Sequence, residues 1–321
     1  MTIRDRVKRY MPRPFLKGYS QARRAPAKLL QSLAQACGYT LARANDYYSP
    51  LASVQSLQGT RTRWCKPSAM RGVDYDLNLF KCELARLMAK YSKEFTKLPP
   101  YVEIASRGFG PGYTPLDAFS LYMMIRDRKP RKYLEVGAGI STYYSSMAGL
   151  RNEAEGYPLN ITCIEPNPFE ALGTIANIRC IHSDAQGVDP SEFCGLCEGD
   201  VLFIDSSHVL KVGGDVAFLY LEVLPILKPG VLVHVHDVPF PYNFPFPPDL
   251  WIFGGTWPKF WTEAMVLQAF LAFNSQFKII MSMPLIRFFE EGFLKESFRE
   301  YKTVAEEPNT FSALWLQRTG P

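Results

Sequence analysis

An α/β chain built on a mostly parallel sheet is predicted by three observations. From residue 115 onward, short apolar runs alternate with helical stretches, the pattern of strands joined by crossover helices. A tight turn, Gly137-Ala138-Gly139, separates the first strand from the helix that follows. The predicted strands also run out into polar or glycine residues at their carboxyl ends, where open parallel sheets bind ligands.

Taken in order, the first 30 residues carry Arg4, Arg6, Lys8, Arg9, Arg13, Lys17, Arg23, Arg24 and Lys28 against one acid, Asp5. Basic blocks of this kind are commonly solvated arms; the functional alternative is weak peripheral contact with an acidic lipid surface. Tyr10, Phe15 and Tyr19 fall among these basic residues but are not read as a base-stacking platform, and nucleic acid is not a favoured partner. Residues 31–113 read as a helical and loop cap. Within it, Leu79, Phe80, Leu84, Leu87, Met88 and Tyr91 recur at helical spacing. A break at Gly108, Gly110, Pro111 and Gly112 precedes a helix capped by Thr114 with Pro115 at its first position. Residues 114–321 form the ligand-binding domain, with strands predicted at 132–136, 160–165, 177–182, 200–205, 230–236, 277–283 and 311–317.

Composition bounds the function classes. At 321 residues, 47% hydrophobic and 21% charged, the chain is a folded globular protein, long enough for one large domain with a substantial appendage or for two domains. No run approaches the ~18–20 apolar residues of a membrane span, and no signal-peptide core opens the chain. Seven cysteines without a regular framework indicate reduced thiols and a cytoplasmic setting. Cys194 and Cys197 end a short helix with no second pair nearby, and read as ordinary thiols.

The glycine turn carries the first chemical signal. Strand, turn and helix N-terminus leave unpaired N–H groups facing a bound ligand, and Ser141 or Thr142 can cap the helix and offer a hydroxyl. Glu135 lies inside the strand, and Thr142 occupies the place of the third glycine of a dinucleotide fingerprint. E-x-G-x-G, here Glu135, Gly137 and Gly139, resembles the first motif of class I S-adenosylmethionine (SAM)-dependent methyltransferases. That resemblance implies SAM as cofactor, with Glu135 near the methionine amino end. Glu165, closing the second strand, can accept both ribose hydroxyls of a nucleoside. Asp184, after the third strand, resembles the family's acidic residue that holds the adenine amino group; its plainer reading is a turn cap.

VLFIDSSHVLKVGGDV and LPILKPGVLVHVHDV are the most family-specific text. They resemble small class I methyltransferases whose fourth strand ends I-D-x-x-H and whose fifth ends H-D. The match runs well over about 117–237 and loosely to 318; Val231 departs from a usual second glycine. The resemblance implies a Rossmann-like seven-stranded sheet, mostly parallel, with an antiparallel last strand beside the fifth.

Methyl transfer from a sulfonium is an in-line displacement, so the protein must align the acceptor and remove its proton. His208 suits a general base near neutral pH, with Asp205 fixing one end of the ring and His236 the competing candidate. Asp205, His236 and Asp237 are placed to hold a cation; related sugar O-methyltransferases imply Mg2+, although an imidazole departs from an all-oxygen site. After the fifth strand, Tyr242, Phe244, Trp251, Trp257 and Trp261 offer flat surfaces to a ring-shaped acceptor, or a contact for a homo-oligomer. The reading is SAM-dependent O-methylation of a saccharide or small secondary-metabolite hydroxyl. A nicotinamide (NAD)-dependent oxidoreductase and a non-catalytic SAM- or nucleotide-binding module are the alternatives.

Overall fold

Strands β1 (Lys132–Val136), β2 (Asn160–Ile164), β3 (Ile178–Ile181), β4 (Val201–Ile204) and β5 (Leu232–Val235) pair in parallel. β6 (Phe277–Ser282) and β7 (Leu314–Arg318) close the sheet in the order β3-β2-β1-β4-β5-β7-β6, with β7 antiparallel to both neighbours. The computed structural model describes residues 26–43, 46–298, 301–303, 306 and 312–320. The basic stretch before residue 26, and Phe311 at the predicted start of the last strand, lie outside them.

The sheet explains why its strands read as unbroken apolar runs. β4 and β5 are buried at every position, as strands covered on both faces must be. The edge strand β3 is only partly buried and carries the exposed Arg179. Three helices matter to the site. α1 (Leu77–Phe95) is capped by Asp76, which accepts from the N–H groups of Asn78 and Leu79. It buries Phe80, Leu84, Leu87 and Tyr91 against the domain. α2 (Pro115–Arg128) begins as predicted, with Thr114 accepting from Asp117 N–H and Pro115 at the first position. α3 (Ile140–Ala154) leaves the glycine turn with Gly139 as its N-cap residue.

The chain divides into two compact units, residues up to Arg61 and residues from Thr62 onward. Residues 62–113, read from sequence as part of a cap, pack within the same unit as the sheet. The first unit contains helices over 26–36 and Val54–Gly59. All seven cysteines are free thiols. Among the described residues, no helix is long and apolar enough to cross a membrane.

Candidate active site

Strand register sets the site. Val136 pairs with both Ile164 and Ile204, Ile164 with Ile181, and Ile204 with Val235. The residues one step further, Gly137, Glu165, His182, Asp205 and His236, therefore stand on one rim at the carboxyl ends of the parallel strands. β1 has neighbours leading off in opposite chain directions, β2 and β4, the switch point at which such sheets open a crevice.

A cleft of about 280 Å³ lies there, lined by Gly137, Glu165, Asp184, Asp205, Ser206 and Ser207 among others. Gly137 has φ +90°, and a Cβ on it would lie 2.3 Å from the Asp205 carbonyl oxygen. No side chain fits, so the backbone is bare where a ligand would approach. Gly139 has extended backbone, but a Cβ there would meet the Phe109 carbonyl at 2.8 Å; the loop before α2 rests on the turn. Glu165 is half-buried and accepts from Asn167 N–H at 2.9 Å. Asp184 is exposed on the cleft wall. Asp215 fastens the β4 loop, accepting from the Ser207 amide at 2.7 Å and hydroxyl at 2.6 Å.

Glu135, Ser141 and Thr142 are placed differently from the sequence expectation. Glu135 is fully buried and does not line the cleft. Its carboxylate accepts from the Ser141 hydroxyl and from the Thr142 hydroxyl at 2.7 Å. Thr142 Oγ1 in turn accepts from Gly139 N–H at 3.0 Å. The hydroxyls thus point at the strand, not at a ligand, because a buried carboxylate needs donors. Burial pushes the Glu135 carboxyl up to about 7 despite those hydroxyls. The trio locks β1 to the first turn of α3 and holds the glycine turn from below.

Beside the cleft lies a buried cluster of acids and imidazoles. His208 and Asp237 both take left-handed backbone, φ +59° and +54°, a conformation uncommon for residues with a side chain. The left-handed turn at His208 brings its ring back to Asp205, three residues earlier. His208 Nε2 lies 3.3 Å from Asp205 Oδ1 and 3.5 Å from Asp237 Oδ2, and Nδ1 lies 2.7 Å from Glu263 Oε2. Burial alone would lower the His208 pKa, but Asp205 and Glu263 outweigh it and push it up to about 10. A ring so engaged is held toward its imidazolium form.

His236 is also buried, stacked on Tyr113 with ring centroids 4.6 Å apart. Its Nε2 meets the Ser312 hydroxyl at 3.2 Å and lies 3.6 Å from Asp117 Oδ2. Its Nδ1 is 3.6 Å from both Asp205 and Asp237. Against the pull of burial, Asp205 and Asp237 raise its pKa well above the usual imidazole range. Asp205 responds in kind: burial raises its pKa, but His236 and His208 hold it well below the usual carboxylate range. Asp237 goes the other way, raised by burial more than its imidazole neighbours lower it. His234, the other histidine of β5, is a core residue, stacked on Phe203 at 4.4 Å and kept neutral by burial.

The cation set read from sequence needs one correction. Among the described residues, Asp205, His208 and Asp237 each present a ligand atom within 4.8 Å of the others. His236 is not in that group, although its Nδ1 lies 3.6 Å from both carboxylates; His208 takes its place.

Sequence reasoning missed Glu263 and Asp117. Glu263 opens α4 (Glu263–Leu271) and is buried, accepting from Tyr220 OH at 3.1 Å on the oxygen that His208 does not use. Tyr220 sits in a π-helical turn, Leu219–Val223, a feature frequent at functional sites. The available signal was an acid at the head of an otherwise apolar helix. Asp117 accepts from the Thr114 hydroxyl at the head of α2 at 2.7 Å, and its other oxygen accepts from Ser312 N–H far along the chain at 3.1 Å. The aromatic loop divides. Tyr242 stacks on Phe246 at 3.8 Å and Phe244 packs on Trp64, while Trp261 tilts over the His208 ring at 4.7 Å with Trp251 behind it at 5.5 Å.

Residues 134–238 match the sequence model of a family described as "Methyltransferase domain". No curated protein matches the chain. Three solved structures are similar to it. The SAH-bound methyltransferase PaMTH1 of Podospora anserina is 14% identical, over 86% of this chain and 100% of that one, with TM-score 0.39. The SAM-bound O-methyltransferase TomG of Streptomyces achromogenes, involved in tomaymycin synthesis, is 15% identical over 77% and 92%, with TM-score 0.38. An O-methyltransferase of Bacillus cereus in complex with SAH is 11% identical over 84% and 100%, with TM-score 0.37.

Proposed function

From the match of residues 134–238 to a methyltransferase-domain model and the sheet order β3-β2-β1-β4-β5-β7-β6, we propose that this chain transfers the methyl group of SAM to a hydroxyl of a saccharide or small ring-bearing metabolite. One observation carries the reading: Asp205 belongs both to the cleft at the strand ends and to the buried acid–imidazole cluster. A donor in the cleft and an acceptor at the cluster would therefore meet at one carboxylate. Gly137 lets the cofactor backbone approach, Glu165 accepts the ribose hydroxyls, and Asp184 stands where the adenine would lie. Glu135, Ser141 and Thr142 hold the turn from below.

Asp205, His208 and Asp237 suit a divalent cation. Two carboxylates supply charge, and Glu263, by taking Nδ1–H of His208, leaves Nε2 facing both carboxylates; ligating histidines are typically oriented this way. Such a cation would lower the pKa of an acceptor hydroxyl. The imidazole favours manganese, iron(II) or zinc over the magnesium implied by the sequence resemblance. Trp261 packs against the His208 ring, while His236, Asp117 and Ser312 lie behind Asp205 and Asp237.

The test is methyl transfer from labelled SAM to a panel of sugar and phenolic hydroxyls, with elemental analysis of the purified protein. The reading expects transfer that exhaustive chelation suppresses and manganese restores better than magnesium. Full transfer after chelation, with no metal detected, would leave the three residues as acceptor-orienting groups and reject the cation.

A further inference from the structure

The helix over residues 26–36 presents an apolar stripe to solvent. Pro26, Leu29, Leu30, Leu33 and Ala34 follow one another at helical spacing on one side, and Lys28, Gln31, Ser32 and Gln35 lie on the other. The leucines are strongly exposed: Leu29 63%, Leu30 60% and Leu33 57%. The same unit exposes Tyr47 at 92% and Tyr48 at 88%, residues of the kind that settle at membrane–water interfaces.

Charge says what could cover that stripe. Residues 1–61 hold eleven Lys or Arg against two acids, Asp5 and Asp46. The remainder of the chain holds twenty-five against twenty-nine, so the excess positive charge of the protein is gathered in this unit. A second copy would bring an equally basic unit against the first, which like-charge repulsion opposes. A nucleic acid would answer the charge but has no use for a row of leucines. An anionic bilayer answers both, taking the apolar face into the headgroup boundary while its surface potential attracts the basic residues.

We propose that residues 26–36 are an interfacial helix that docks this protein on membranes rich in acidic phospholipid. The test is flotation of the full chain with vesicles of neutral phospholipid alone or of an equimolar neutral–anionic mixture. Binding to the anionic vesicles should exceed binding to neutral ones roughly tenfold, and should weaken as salt rises from about 0.1 M to about 0.5 M. Leu29→Gln/Leu33→Gln should lose roughly tenfold in affinity, with Leu29→Ala/Leu33→Ala intermediate. Both sites are exposed, so far-ultraviolet dichroism and the melting temperature should not move. Absence of vesicle binding by the wild-type chain overturns the proposal. So does undiminished binding of the Gln variant, which would assign the attraction to charge alone, a result that equal competition by duplex DNA would extend to any polyanion. Concentration-dependent dimers that the Gln variant abolishes, without vesicle binding, would assign the stripe to self-association instead.

Discussion

Glu263→Ala should damage both the stability and the chemistry of the cluster. Glu263 accepts from His208 at 2.7 Å and from Tyr220 OH at 3.1 Å, in a setting where all three residues are buried. Losing a charge-assisted hydrogen bond costs about 1.5–3 kcal/mol, and the stranded tyrosine hydroxyl adds about 1–3 kcal/mol. The two overlap, and breaking a buried ion pair by removing one member costs about 3–5 kcal/mol in all. Glu263→Gln should cost about 1–2 kcal/mol, since its amide oxygen still accepts from His208 and its NH2 can donate to Tyr220. Urea denaturation at neutral pH with chelator present measures both, and SAM titration separates stability from function. Turnover should fall in both variants while SAM affinity holds, because Glu263 positions His208 and does not reach the cleft. Ala and Gln variants both within about 0.5 kcal/mol of wild type would refute the buried-pair account of His208.

Three further outcomes follow from the same geometry. Glu165→Ala should weaken SAM binding by about 1–3 kcal/mol in calorimetry without moving the melting temperature, since within the protein Glu165 accepts from a neighbouring turn amide. Gly137→Ala should abolish SAM binding and destabilise by at least about 2 kcal/mol, because its Cβ meets the Asp205 carbonyl at 2.3 Å and φ is +90°; an unchanged denaturation midpoint would contradict that clash. In metal-free protein, the His208 pKa is raised from 6.5 to about 10. Its stabilisation is therefore complete below about pH 6.5 and is lost as pH climbs toward 10, on the order of 5 kcal/mol for this one group. Denaturation midpoints that stay level across that interval would count against the charged imidazole.

Much of the sheet was legible because buried parallel strands are written as short apolar runs, and polar residues begin where the strands end. The rim of Gly137, Glu165, Asp184 and Asp205 could be read for the same reason. What could not be read is which way side chains turn once past the rim. Glu135, Ser141 and Thr142 looked like ligand contacts, but a carboxylate buried inside β1 draws both hydroxyls to itself. His208 looked like a free base, yet its environment is set by Asp237, twenty-nine residues on, and by Glu263, on a helix outside the family motif. His234 and His236 are two residues apart on one strand and differ entirely: one is stacked in the core on Phe203, the other stands among carboxylates. Local sequence carries no record of such long-range neighbours, and only packing decides them.

The central claim is that the cleft at the ends of β1 to β4 takes SAM, and calorimetric titration of the purified chain with SAM, S-adenosylhomocysteine and NAD tests it most directly. The account predicts saturable binding of both sulfur nucleosides, weakened by Glu165→Ala and absent in Gly137→Ala, with no heat from NAD. Binding of NAD with indifference to SAM would contradict it.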